Sequence, residues 1–169
     1  MHKKVLTEQV LYHGDVSMPK GWEIDRNDLA HHILESSFRD KDVLYSRTLS
    51  KVSDYIKEYI HLKFKLSLFE NKITGEIYRP GKITLPLLNV NPIDLVNSSD
   101  YTMLYGVHVK DCMVRIHYDH NRRAGRSWDI PLTNNKFLLF PSTNMYCITN
   151  NQKDSMNFIQ TITYDYREL

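Results

Sequence analysis

Residues 101–118, YTMLYGVHVKDCMVRIHY, constrain the fold more than any other part of the chain, because apolar residues alternate on both sides of a two-residue break. Read as a β-hairpin turning at Lys110 and Asp111, the stretch sets Val109 opposite Cys112, Val107 opposite Val114 and Tyr105 opposite Ile116. Tyr101 and Tyr118 fall on the same apolar face. The other face carries Thr102, Gly106, His108, Met113, Arg115, His117 and Asp119, with Leu104 as its apolar exception. Such a strand pair can wall a sandwich or barrel, or form an antiparallel sheet with one side in water.

The chain before this stretch has a different period. Residues 5–12 read as a short strand, and His13, Gly14 and Asp15, then Pro19 and Gly21, as a turn-rich passage ending on an anchoring Trp22. Asp25 or Asn27 can cap a helix with Leu29, Ile33 and Phe38 along one stripe. Ser46 or Ser50 can start a second, in which Leu49, Val52, Ile56, Tyr59, Ile60 and Phe64 recur at helical spacing. From about Leu66 onward short strands alternate with turns: 73–79, 82–88, the central pair, 126–132, 136–140, 145–149 and 157–166. Pro80 with Gly81, Asn91 with Pro92, and Asn134 with Asn135 punctuate them. Eleven tyrosines against six glycines and six prolines suit half-buried strands.

These patterns predict one mostly β, α+β domain over 1–169, since 169 residues bury one good core and not two. Two helices within 1–65 back a core of about eight antiparallel strands over 66–169, arranged as a double-stranded β-helix, the cupin-like jelly roll. An α+β sandwich of another topology is the alternative.

A net charge of +2 with 25% charged and 41% hydrophobic residues excludes a polyelectrolyte or a wholly disordered chain. Any basic partner site is therefore local. Cys112 and Cys147 lack metal-ligand spacing, so reduced thiols inside a cell are expected. No long apolar run marks a signal or a membrane span.

The segment 136–164, KFLLFPSTNMYCITNNQKDSMNFIQTITY, resembles the C-terminal half of the 2-oxoglutarate and iron(II) dependent oxygenases, particularly the short versions in tailed bacteriophages. In that family an apolar strand ends in Phe-Pro-Ser, and the distal iron-binding His follows about four residues after the Ser. Here Tyr146 stands at that place. Upstream the resemblance puts Asn89 and Asn91 where the family's His and Asp ligands belong, and the 57-residue separation of Asn89 from Tyr146 matches the expected ligand spacing. Iron(II) of this kind wants two imidazoles and a carboxylate on one face. Neutral amides and a phenol do not supply them. About ten residues past the distal position, where the resemblance implies an Arg gripping the oxoacid, the chain has Ser155, Met156 and Asn157.

Other constellations compete. His117, Asp119 and His120 form the one ligand-rich cluster, an alternative metal site if His120 or His108 swings in; surface histidines are the plain reading. Arg122, Arg123 and Arg126 beside Trp128 can grip a protein partner, can bind phosphate, a carboxylate surface or single-stranded nucleic acid, or can form a solvated hairpin tip. Asn144, Asn150, Gln152, Gln160 and Thr161, with neighbouring Thr and Asn residues, can line a polar pocket or pair with one another.

The expectation drawn from all this is a non-catalytic, oxygenase-shaped structural or interaction protein of a tailed phage, found in the host cytoplasm and the assembled virion. It takes no cofactor and partners phage structural proteins or itself, with nucleic acid disfavoured and no membrane. The alternative is an active hydroxylase using Fe(II) and 2-oxoglutarate at a non-standard metal site.

Overall fold

The computed structural model describes residues 9–17, 20, 24–38, 47–121 and 124–167, with the backbone alone for 47–49, 119–121 and 124–125. Trp22 and Ser46 lie outside these. The order is β1 (Tyr12–Asp15), α1 (Arg26–Phe38), α2 (Arg47–Phe64), β2 (Ser67–Tyr78), β3 (Lys82–Ile83), β4 (Tyr101–His108), β5 (Cys112–Asn121), β6 (Ala124–Leu132), β7 (Lys136–Pro141), β8 (Tyr146–Asn150) and β9 (Asn157–Arg167).

Two antiparallel sheets face each other, one ordered β1-β7-β4-β9-β2 and the other β3-β8-β5-β6. From β2 onward every connection crosses between sheets except the β5–β6 hairpin, which is the winding of a double-stranded β-helix. The central hairpin read from the sequence is therefore corrected. β4 pairs with β7 and β9, β5 with β6 and β8, and the chain between them arches from one sheet to the other.

Side chains hold this arch where ladder bonds would hold a hairpin. Asn134 Oδ1 accepts from Val109 N (2.6 Å) and Asn157 Oδ1 from Lys110 N (3.0 Å). Asp111 turns the chain with φ 47°. The backbone of Thr133 also passes directly over Gly106, where a Cβ would lie 2.1 Å from the Thr133 carbonyl oxygen. Alternation holds along β5, whose Cys112, Val114 and Ile116 face inward. It misleads along β4, which is buried on both sides: Tyr105 and Val107 meet the helices, and Leu104 fills the space between the sheets.

The helices cover the outer face of the larger sheet. Asp25 caps α1 by accepting the Asp28 N–H (3.0 Å), and Leu29 and Ile33 are buried while Phe38 stands in solvent. Ile33 packs so close on β2 that a Cβ on Gly75 would meet its Cγ1 at 2.5 Å. Val52, Ile56 and Ile60 form the buried stripe of α2. That helix ends where Lys65 takes φ 58° and donates its N–H to the His61 carbonyl (2.9 Å), immediately before β2. The His13–Asp15 passage expected as a turn is instead strand, paired with β7 and laying Gly14 over the Phe137 ring. Among the described residues, no helix is long and apolar enough to cross a membrane.

Candidate functional site

The β3 segment reaches past its two-residue ladder to pair with β8: Thr84 N bonds to the Ile148 carbonyl, and Leu87 and Tyr146 exchange backbone bonds (2.8 and 3.1 Å). That pairing brings Asn89 to Tyr146. Asn89 Nδ2 donates to the Tyr146 hydroxyl (3.0 Å) and to Thr102 Oγ1 (3.2 Å), and Thr102 shares a 2.8 Å hydrogen bond with Ser142. Thr102, Ser142 and Tyr146 are buried and Asn89 is half-buried, and the four side chains satisfy one another. Its ends come from β4, the β7–β8 turn and β8, which explains why no short motif reveals it.

Burial, then the nearby Glu76 carboxylate, pushes the Tyr146 hydroxyl up, while the Asn89 hydrogen bond pulls it back in part. Tyr78 donates to Glu76 beside it, and burial, the same carboxylate and their hydrogen bond raise Tyr78 as well. Neither Glu76 nor Tyr78 stood out in the sequence; their place on the inner face of β2, opposite Ile159 and Asn157, follows only from the register.

Asn91 does not join this group. Its Oδ1 accepts the Ile93 N–H (3.0 Å) and its own N–H goes to Ser98, so it holds together an exposed loop. Of the three positions that the resemblance aligns with iron ligands, Asn89 and Tyr146 meet; all three are oxygen donors without charge. That donor set does not fit ferrous iron. At the oxoacid-clamp position, Asn157 Oδ1 is taken by the Lys110 N–H and by Gln152 Nε2 (2.8 Å). Asn150 closes the same end by donating to the Tyr78 and Ser155 carbonyls (3.0 and 2.9 Å). Gln152 pairs with Asn157 and Asn150 with backbone, Asn157 Nδ2, the Gln160 amide and Thr161 Oγ1 are buried without a hydrogen-bond partner, and no guanidinium stands at this position to hold a dicarboxylate.

The relocated ligand candidates lie apart. His117 is on the outward side of β5 with Nε2 3.9 Å from Cys147 Sγ, and His108 reaches Asn27 Oδ1 (3.0 Å) from the other sheet. The Asp119 and His120 side chains lie outside the described residues. Among those described, no three His, Cys, Asp or Glu side chains gather as a metal site.

The Tyr146 end of the smaller sheet, where Ile116 lies opposite Tyr146 and Phe140 packs on the Tyr146 ring, opens into a cleft. A cavity of about 250 Å3 lies between the sheets, lined by Leu11, Ile116, Tyr118, Trp128, Phe140 and Asn144 among others. A second, of about 450 Å3, continues from it past His117, Arg126, Ser127 and Met145. Arg126 and the half-exposed Trp128 thus rim a groove; Arg122 and Arg123 lie outside the described residues. Gln9, Val10 and Leu11 complete its wall, a contribution hidden in the sequence because they precede β1 with no pattern of their own.

No family model matches the chain, and no curated protein matches it. Solved structures do. A Pseudomonas putida prolyl-4-hydroxylase is similar over 93% of this chain and 88% of its own, with TM-score 0.65 and 12% identity. The viral collagen prolyl hydroxylase of Paramecium bursaria Chlorella virus-1, solved as a 2OG complex, is similar over 94% and 96%, with TM-score 0.63 and 9% identity. The alpha-ketoglutarate dependent carbocyclase SnoK from nogalamycin biosynthesis is similar over 93% and 79%, with TM-score 0.63 and 12% identity. The chain therefore has the double-stranded β-helix fold of the 2-oxoglutarate/Fe(II) oxygenases. One expectation is corrected: a chain needing no cofactor is contradicted by neighbours that are Fe(II)/2-oxoglutarate oxygenases, and these are the cofactors to which the fold points.

Proposed function

We propose that this chain is a divergent oxygenase-fold protein that works by binding, presenting the cleft rimmed by Trp128 and Arg126 to a protein partner. The observation that carries the reading is the Asn89–Tyr146 hydrogen bond, in which an amide and a phenol satisfy each other at two positions that the sequence resemblance aligns with metal ligands. The cleft supports it. Aromatic and arginine side chains at the edge of an apolar recess are the usual anchors of protein contacts. The resemblance to short tailed-phage proteins gives the partner its class, a structural protein of the particle or a second copy, and places the chain in the infected cell and the assembled virion.

The second reading is an Fe(II)- and 2-oxoglutarate-dependent hydroxylase. The whole-chain likeness to oxygenases favours it, and taken alone that likeness favours it over a purely structural role. Its metal would need ligands other than Asn89, Asn91 and Tyr146, with His117, Asp119 and His120 as candidates. One assay separates the two. The protein is incubated with Fe(II), ascorbate, 2-oxoglutarate and dioxygen, and succinate is quantified. The binding reading expects no more succinate than iron without protein produces; repeated protein-dependent turnover, lost in His117→Ala, would replace it with the hydroxylase.

A further inference from the structure

The outer face of the smaller sheet carries a thiol, an imidazole and a thioether side by side. Tyr146 and Ile148 turn inward from β8 and Ile116 turns inward from β5, so Met145, Cys147 and His117 point to the opposite face. Met145 and His117 are neighbours across the two chain segments: the His117 N–H is donated to the Met145 carbonyl (2.8 Å), and both side chains line one cavity of about 450 Å3. Cys147 stands two residues on, with Sγ 3.9 Å from His117 Nε2.

That spacing is long for a hydrogen bond and suits two ligands of one ion. Bonds of about 2.3 Å to a thiolate and about 2.0 Å to an imidazole span 3.9 Å when they meet at roughly 130°. A tetrahedral ion, with its ligands at about 109°, would hold the two atoms roughly 3.5 Å apart. The pair is therefore set for an ion with three ligands in a plane. Met145 is placed to be the third, because its unbranched thioether turns about three bonds and shares the cavity with His117.

The donors decide which ion. Thiolate and thioether sulfur select cuprous copper, whereas ferrous iron asks for carboxylate and zinc for a fourth ligand. Among the described residues, no further His, Cys, Asp or Glu joins Cys147 and His117. The nearby carboxylate is engaged: Asp129 grips Arg115, which lies directly across from Cys147, through both oxygens (2.7 and 2.8 Å). The same grip balances the guanidinium that would otherwise repel a cation beside the thiol. His117 is held in place, its carbonyl accepting from Asn144 Nδ2 (2.9 Å), and the cavity gives the ion a way in.

We propose that Cys147, His117 and Met145 form a three-coordinate site for cuprous copper. The thiol releases its proton to solvent as the sulfur bonds the ion, and Cu(I) remains Cu(I). The site lies on the face of β8 opposite to Tyr146, so it neither requires nor excludes the binding reading.

The test is an anaerobic titration of the protein into the coloured Cu(I) complex of bicinchoninate, with X-ray absorption on the loaded protein. Wild type should withdraw one equivalent of copper, and the absorption should find two sulfur neighbours and one nitrogen. Cys147→Ser should lose the withdrawal, and His117→Ala and Met145→Leu should each leave more copper with the chelator than wild type does. Cys112→Val, changed at the thiol that faces the core, should match wild type. A wild type that leaves its copper with the chelator overturns the proposal, as does undiminished binding in Cys147→Ser or a stronger hold on Zn(II) than on Cu(I). If Cys147→Ser does not fold, the loaded wild type decides: copper without sulfur neighbours overturns the site.

Discussion

Asn89 and Tyr146, 57 residues apart in the chain, are joined by a 3.0 Å, half-buried hydrogen bond. The bond exists because the β3 segment runs beside β8 as far as Leu87, which delivers Asn89 to the end of that strand. The scaffold brings together two of the positions that the sequence resemblance aligns with metal ligands, and the side chains there bind each other.

The first prediction concerns that pair. Asn89→Ala leaves Thr102 and Tyr146 short of a donor in a buried place and should cost about 1–3 kcal/mol. Tyr146→Phe keeps the ring against Phe140 and should cost about 1 kcal/mol. The double variant should cost less than the two together by at least ~0.5 kcal/mol, as urea unfolding of all four proteins would reveal. Strict additivity would mean that the hydrogen bond contributes nothing.

Helix α1 sits on β2 through Gly75 and Ile33. Gly75→Ala drives a methyl into the Ile33 side chain and should destabilise by roughly 1–3 kcal/mol. In an Ile33→Ala background the added methyl has space, so the same change should be neutral or stabilising. Thermal melts of the four proteins check this; an equal loss in both backgrounds would place the strain elsewhere.

Burial pushes the Cys112 thiol from 9.0 to about 12, although the neighbouring Asn157 amide opposes the shift. The folded chain therefore keeps this proton after the unfolded chain has released it, and stability must fall as pH rises from about 9 toward 12. The buried phenols of Tyr78, Tyr105, Tyr146 and Tyr164 are raised too and add to the loss above pH 10. Cys112→Val should flatten the stability curve in its first part, between about pH 9 and 10. Denaturant titrations across that range measure it, and an unchanged slope would show that the thiol is not what titrates.

Much of the architecture was legible because alternation and turn residues are local signals. Strands β6 to β9 fall where Pro, Gly and Asn pairs bound the apolar runs, and Asp25 marks the start of α1. The topology was not. A hairpin and an arch between sheets share the same period-two pattern, and what separates them is Asn134 and Asn157 capping the arch from 25 and 47 residues away. The site was half legible. Asn89 and Tyr146 could be aligned by spacing, but Thr102 on β4 and Ser142 in the β7–β8 turn complete their chain. Asn91, two residues from Asn89, is diverted into its own loop by the Ile93 and Ser98 bonds, which no spacing rule foresees.

The central claim is that Asn89 and Tyr146 serve each other and not a metal. Anaerobic Fe(II) titration in the presence of 2-oxoglutarate, on wild type and on Tyr146→Phe, tests it most directly. The account predicts the same metal affinity and the same visible spectrum for both proteins, whatever that affinity is. Iron binding in the wild type that is abolished by removing the one phenolic oxygen would contradict it.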